Sequence, residues 1–388
     1  MSYMPGLEGI PATKSSVSEI NGEKGILAYR GFPIETLARH STYEETAWLL
    51  LEGSLPTAKQ LEGFDQELRA QRQLDDSILQ MMHHLPRAGH PMKMLQTAVA
   101  ALGMINPNTA CMSALSGSEQ QQHIRRMAIK IIAQLPTLVA SWEHIRKGST
   151  PVVPRSDLTF AENFLYMFTG SEPDATLARI LDTCLVLHAE HTINASTFAA
   201  LVTGSTLASP DSVISAAVGT LSGPLHGGAN QRVLEMLESI GCIENVVPWL
   251  EQRLAAKEII WGMGHREYNV KDPRAKILQA LVGTLAEEGG TSSESLLPIA
   301  IKLEQETEAR LAAKGVYANV DFFSGILYAE MGFPTDQFTS LFAVSRAAGW
   351  LAHWREQLND NRIFRPTQLY VGEAFREYVP VEQRADEH

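Results

Sequence analysis

The chain has 388 residues, 45% hydrophobic and 20% charged, a balance that fits a folded protein of about two or three domains and excludes a disordered one. A formal net charge of -12 argues against nonspecific nucleic-acid binding, so an anionic ligand would have to be held by a local cluster of cations. Cys111, Cys184 and Cys242 lie far apart without metal-ligand spacing and read as reduced thiols. With no secretory signal and no membrane-length apolar run, the expectation is a cytoplasmic protein without membrane or nucleic-acid partners.

In chain order, Val17–Ile20 and Ile26–Tyr29 flank a turn-rich Asn21–Gly25 and predict a small hairpin. Helical spacing dominates thereafter. Thr42 with Glu45, and Thr57 with Gln60, form capping-box patterns, with Gly53 and Pro56 punctuating the first helix. Further helices are predicted at about 91–104, 119–147, 174–190, 194–207, 211–221, 229–240, 248–260, 273–287, 294–313, 324–331 and 335–358. No repeat period and no strand–helix alternation is visible, so the expected fold is all-α with a minor β element.

Four segments are locally odd. In Leu187–Asn194, His188 and His191 continue the apolar stripe of Leu177, Leu181 and Cys184, which predicts inward-facing imidazoles. The histidines are three apart and the glutamate directly precedes the second, so this is not a zinc-protease pattern; a pair of hydrogen-bonded core histidines is the plain reading. In Ser222–Asn230, His226 sits in a Gly-rich loop before a helix start, where the dipole disfavours imidazolium. No Gly-Lys-Ser/Thr follows, so it is not a phosphate loop, and the glycines alone could serve a tight turn.

The third segment runs Trp261-Gly262-Met263-Gly264-His265-Arg266 to Asp272-Pro273-Arg274, with Asp272 as N-cap and Arg274 in the first turn against the dipole. In the fourth, Asp321 precedes a helical run and reads either as an N-cap or as a carboxyl desolvated by Phe322 and Phe323; these push its pKa in opposite directions. Phe342, Arg346 and Trp350 share one face of the last long helix. No acid lies three or four positions from Arg346, so its partner must come from elsewhere in the fold or from a ligand.

Together these segments resemble the citrate synthase family. The resemblance holds in order and spacing from about residue 6 to residue 379 and rests on six motifs: His-Ala-Glu-His at 188–191, Gly-Pro-Leu-His-Gly-Gly-Ala-Asn at 223–230, Gly-Met-Gly-His-Arg at 262–266 with Asp-Pro-Arg at 272–274, Asn-Val-Asp-x-x-Ser-Gly at 319–325, Phe-Ala-Val-Ser-Arg at 342–346 and Arg-Pro at 365–366. Any one is weak, but six in this order are specific. The resemblance implies a two-domain helical fold, with a large discontinuous domain of about 1–225 and 328–388 and a small domain of about 226–327. It implies condensation of acetyl-CoA with oxaloacetate, an acyl transfer in the tricarboxylic acid cycle that uses no metal and no cofactor.

By position, His226 matches the histidine that hydrogen-bonds the thioester carbonyl, Asp321 the base, and His265 the group that polarises the ketone. His191, Arg274 and Arg346 match residues that hold the dicarboxylate. Arg365 matches an arginine inserted into the neighbouring subunit's site, which implies a homodimer. Ile259, Ile260, Trp261, Gly262, Met263 and Gly264 match the loop around the CoA adenine, and Lys314 a CoA-contacting lysine. Glu267 and Asn269 stand where relatives often carry Val and Lys, which removes a cation and adds an anion near the CoA approach. The N-terminus is short beside the NADH-inhibited hexameric type, so no NADH regulation is expected.

The same motifs occur in 2-methylcitrate synthase, which takes propionyl-CoA, and one methylene is worth only about 1–3 kcal/mol of discrimination. Alternatives from other classes are a non-catalytic helical scaffold and a metal-dependent hydrolase on His188, His191, His226 and His265; for the hydrolase no ligand spacing fits.

Overall fold

A computed structural model describes residues 3–105, 117–287 and 296–384. Cys111 lies outside the described residues; Cys184 is buried and Cys242 exposed, both as free thiols. The hairpin forms as expected: β1 (Ser18–Asn21) pairs antiparallel with β2 (Ile26–Tyr29), Ser18 opposite Tyr29, and a two-residue β3 (Phe32–Pro33) extends the sheet in the order β1-β2-β3. Helices make up the rest of the regular structure.

The first half carries α1 (Ile34–His40), α2 (Tyr43–Glu52), α3 (Ala58–Ala70), α4 (Asp76–His84), α5 (Pro91–Leu102), α6 (Gly117–Lys147), α7 (Phe160–Thr169), α8 (Ala175–His188), α9 (Ala195–Ser205) and α10 (Pro210–Leu221). The second carries α11 (Ala229–Ile240), α12 (Val246–Ala256), α13 (Pro273–Glu287), α14 (Leu297–Leu311), α15 (Val320–Glu330) and α16 (Phe338–Leu358). Side-chain caps set several starts. Thr57 and Gln60 make the full reciprocal capping box of α3, whereas Thr42 only accepts from the Glu45 N–H. Gly53 closes α2 at φ +87°, a left-handed turn that suits glycine.

Helices α1, α4 and α7 were not predicted. Helix α7 has its own full capping box, Thr159 with Glu162, and Phe160, Phe164, Met167 and Phe168 recur on one face at helical spacing, signals the sequence reading passed over. Helix α16 is buried without interruption from Phe338 to Trp354 and packs against α2, α6, α8, α9 and α10. It is the axis of the molecule, and Arg346 lies at its middle.

The hairpin tip seats against residues 267–271. The Asn269 N–H donates to the Gly22 carbonyl at 3.1 Å, and a Cβ on Gly22 would lie 1.7 Å from the Glu267 carbonyl oxygen. Only glycine permits that approach.

Candidate active site

A cavity of about 860 Å³ is lined by His191, His226, His265, Arg274, Asp321 and Arg346 together with Thr192, Ile193, Asn194, Phe198, Glu267 and Phe342. Every residue that the resemblance assigns to chemistry or to the dicarboxylate on this chain, Arg365 aside, faces this one space. Five separate stretches supply them: the α8–α9 connection, the loop before α11, the segment before and into α13, helix α15 and helix α16.

The two histidines at 188 and 191 part company. Helix α8 ends at His188, so His191 lies on the connection and not on a shared helical stripe, a correction to the sequence expectation. His188 is wholly buried and stays in the core, its Nδ1 2.8 Å from the Cys184 carbonyl. Burial lowers its pKa to about 3. The connection is pinned by the Tyr29 hydroxyl, which donates to the Glu190 carbonyl at 2.8 Å, and Thr192 takes the left-handed φ of 50°. For a β-branched residue that is backbone strain at the cavity wall.

His226 and His265 present opposite nitrogens. The Ser196 N–H points at His226 Nε2 from 3.3 Å, and the Ser196 hydroxyl lies 2.9 Å from the same atom. That nitrogen therefore accepts, and the proton of the neutral ring sits on Nδ1. At His265 the N–H groups of Glu267 and Tyr268 approach Nδ1 at 2.9 and 3.3 Å, so the proton sits on Nε2. Both rings are neutral: burial, aided by Arg346, lowers His226 to about 4. Burial, aided by Arg274, lowers His265 to about 4. The helix dipole expected for His226 is not the principal cause. His191 is likewise pushed well down by burial and then by Arg274.

The arginines differ in their pairing. Arg274 binds Asp272 through Nε at 3.1 Å and Nη2 at 2.7 Å, and the Asp272 carboxylate also accepts the Arg274 N–H at 2.9 Å. Its charge, set against the helix dipole, is thus compensated by the N-cap itself. Arg346 donates from Nε to the His188 carbonyl at 2.6 Å and lies over the Phe342 ring at 4.6 Å. Among the described residues its terminal nitrogens make no hydrogen bond, and burial lowers its pKa to about 10, so it stays charged at neutral pH.

Asp321 is not the cap of α15. Asn319 is, accepting the Asp321 N–H at 3.0 Å, which puts Asp321 inside the first turn. Of the two opposed effects burial wins, raising the carboxyl to about 6 against the pull of Arg274 and Arg346. The stretch before Asp321 is clasped to the His265 loop: Gly264 N–H donates to the Tyr317 carbonyl at 2.7 Å and Asn319 N–H to the Gly262 carbonyl at 2.9 Å. Gly262, at φ +77°, has Val233 and Phe322 where a Cβ would be. His265 and Asp321 are therefore held as a unit.

Other assigned residues lie outside this cavity. Ile259, Ile260, Trp261, Gly262, Met263 and Gly264 form the clasped loop behind it, with Ile259 and Trp261 bordering a second hollow of about 220 Å³. Lys314 is exposed at the end of a short 3-10 turn, Ala312–Lys314. Arg365 is exposed on the extended stretch after α16 and donates to the Pro366 carbonyl at 2.9 Å. Among the described residues no group of three or more His, Cys, Asp or Glu is placed to hold a metal ion, and no helix is long and apolar enough to cross a membrane.

Sequence reasoning missed Ser196 and Tyr268, which orient imidazoles, and the N-terminal stretch from Gly6 to Thr13, which lines the cavity mouth. Ser196 follows Asn194 as in many helix starts and carried no local signal. The arrangement as a whole offers a carboxyl poised to take a proton, two neutral N–H donors aimed into one space, and guanidinium groups for carboxylates.

Comparison with known proteins points the same way. The family model for the citrate synthase C-terminal domain matches residues 6–367. The citrate synthase of Acidithiobacillus ferridurans is 55% identical over 383 residues, covering 99% of this chain and 99% of that protein. The crystal structure of citrate synthase from Pyrobaculum aerophilum superimposes with a TM-score of 0.92 at 41% identity, covering 98% of this chain and 95% of that one. The Thermoplasma acidophilum citrate synthase, solved as a ternary complex with carboxymethyl coenzyme A and oxaloacetate, gives 0.89 at 32% identity over 98% of both chains. The all-α architecture, the gathered site and these likenesses agree, and the chain belongs to the citrate synthase family and carries that family's transferase activity.

Proposed function

We propose that this chain condenses acetyl-CoA with oxaloacetate and water to give citrate and CoA, with His226, His265 and Asp321 as catalytic residues and without metal or organic cofactor. One observation carries the reading: neutral imidazoles, a carboxyl raised to about 6 and two guanidinium groups face one cavity. The Thermoplasma relative, solved with a CoA analogue and oxaloacetate, supports the choice of substrates.

The chemistry follows from the hydrogen positions. The Asp321 carboxylate takes a proton from the thioester methyl group, and the electron pair moves onto the carbonyl oxygen, which accepts the Nδ1–H of His226. The enol carbon attacks the ketone carbon, a C–C bond forms, and the former ketone oxygen takes a proton from His265 Nε2. Water then cleaves the thioester and CoA leaves as the thiol. Arg274, Arg346 and His191 hold the two carboxylates, a task suited to planar guanidinium groups in an acidic protein.

Hinge motion of a small domain, about 226–327, against the remainder would close the cavity around oxaloacetate before acetyl-CoA binds productively. The loop from Ile259 to Gly264 and Lys314 would then hold CoA. A homodimer in the cytoplasm, with Arg365 of each chain completing the partner's site, fits the exposed stretch after α16.

The test is thiol release from acetyl-CoA, with and without oxaloacetate. The expected result is release that needs both substrates and survives EDTA; release from acetyl-CoA alone overturns the reading. A higher kcat/KM for propionyl-CoA would overturn the choice of acyl group.

A further inference from the structure

We infer that Tyr268 is a positioning residue that locks His191 and His265 into one rigid cluster and so sets the affinity for the ketodiacid. The inference rests on the assignment of oxaloacetate to these imidazoles. Tyr268 is only 1% exposed and does not line the cavity, so it touches no substrate. Its ring centroid lies 4.6 Å from that of His265 and 5.7 Å from that of His191, whose rings are themselves 5.2 Å apart. His191 meets both other rings edge-to-face, an arrangement aromatic quadrupoles favour, and the His265 and Tyr268 rings are tilted at 47° to each other.

Two polar contacts turn this packing into orientation. The Tyr268 N–H reaches His265 Nδ1 at 3.3 Å, and the Tyr268 hydroxyl lies 3.3 Å from His191 Nε2. One residue thus engages the buried nitrogen of one imidazole and a nitrogen of the other. Burial pushes the phenol far up, so the hydroxyl keeps its proton at all working pH values. In either tautomer of His191 the contact fixes the ring plane, and hence the direction of its other nitrogen.

The placement also links distant parts of the chain. His191 sits on the α8–α9 connection, while Tyr268 sits two residues past Arg266 on the segment that the hairpin tip touches at Asn269. The hydroxyl contact therefore exists only when these two parts are apposed as they are here. A dicarboxylate that needs His191, Arg274 and His265 together meets a site that Tyr268 has already assembled.

The hydroxyl and the ring make separate contributions, which separates the test variants. Tyr268→Phe keeps the ring and is expected to raise the KM for oxaloacetate about tenfold, the scale for leaving a buried nitrogen unpaired, with kcat within about twofold. Tyr268→Leu also removes the ring support of His265 and is expected to lower kcat about tenfold or more. A Tyr268→Phe enzyme with unchanged KM overturns the inference, as does one in which kcat and KM for both substrates shift alike. Should that variant fail to fold, the ¹⁵N spectrum of the wild-type imidazoles decides: one fixed tautomer at His191 supports the lock, and averaged tautomers overturn it. A wild-type enzyme that releases thiol without oxaloacetate sinks the functional reading instead, so the two failures are distinguishable.

Discussion

Replacing Asp321 by Asn should destroy activity and stabilise the protein at the same time. The carboxyl is raised from 3.8 to about 6, chiefly by burial. At about 1.4 kcal/mol per unit, that shift corresponds to about 3 kcal/mol held against folding when the group is ionised. Part of the side chain faces the open cavity, so after solvent screening about 1–2 kcal/mol is the realistic gain for the amide. The sign runs with pH. The folded state binds this proton more tightly than the unfolded chain, so the penalty is complete above about pH 6 and shrinks as pH falls toward about 4. The variant should therefore melt about 1–2 °C higher than wild type near neutral pH, with about half that advantage left at about pH 5. Its rate of thiol release should fall about a thousandfold, the usual loss of a positioned base. In the wild type, kcat/KM should fall below about pH 6 as Asp321 takes its proton, with no histidine limb nearby because His226 and His265 titrate at about 4. Scanning calorimetry at two pH values and steady-state kinetics read all of this. An Asn variant that is less stable at neutral pH, or one that keeps its rate, would refute the reasoning.

Three further outcomes follow from the same geometry. Arg346→Leu removes a guanidinium whose terminal nitrogens have no hydrogen-bond partner among the described residues; the KM for oxaloacetate should rise about 10–100-fold, and an unchanged KM would contradict its role. Ser196→Ala takes away a hydroxyl 2.9 Å from His226 Nε2, and kcat should fall about tenfold with acetyl-CoA saturating; an unaltered kcat would show that the backbone N–H alone fixes the tautomer. Glu267→Val with Asn269→Lys removes an anion from the cavity lining and adds a cation nearby. The KM for acetyl-CoA should drop about two- to fivefold, and less at high salt; no change would mean that CoA approaches elsewhere.

The parts of the site legible in the sequence were those where chemistry dictates residue type. A base, two neutral donors and arginines for carboxylates leave few substitutes, so His226, His265, Asp321, Arg274 and Arg346 stood out through motifs of fixed spacing. Orientation was not legible. Which nitrogen of His226 carries its proton depends on Ser196, thirty positions away in sequence, and which nitrogen of His191 is engaged depends on Tyr268, seventy-seven positions away. Neither residue bears a local signal, because ordinary helix starts and buried tyrosines look the same. The fold shows a similar division. Amphipathic helices such as α11 are placed correctly from spacing, and α7, whose Phe160, Phe164, Met167 and Phe168 also recur at helical spacing behind a capping box, was legible but went unread. The end of α8 was overrun because His191 happened to fall on the helical period; the tyrosine from β2 that pins the turn comes from a distant strand.

Beside the carboxylate-binding role proposed for them, the two arginines act on the imidazoles. Arg274 disfavours protonation of His191 and His265, and Arg346 that of His226 and His191. This keeps the rings neutral, so each donates one N–H while its other nitrogen accepts. A dianion seated between the guanidinium groups cancels that repulsion. The proton affinity of His265 then rises before the ketone oxygen becomes an alkoxide, which makes the ring a weaker acid but stabilises any imidazolium formed later in turnover. Full proton transfer to the alkoxide therefore depends on the alkoxide being the stronger base by a wide margin, which it is. Asp321 shifts in the same direction: an anion near its carboxylate raises its proton affinity and makes it a stronger base for the proposed methyl proton. On the proposed reading, binding the first substrate thus prepares the base for the second through charge, in addition to the hinge closure.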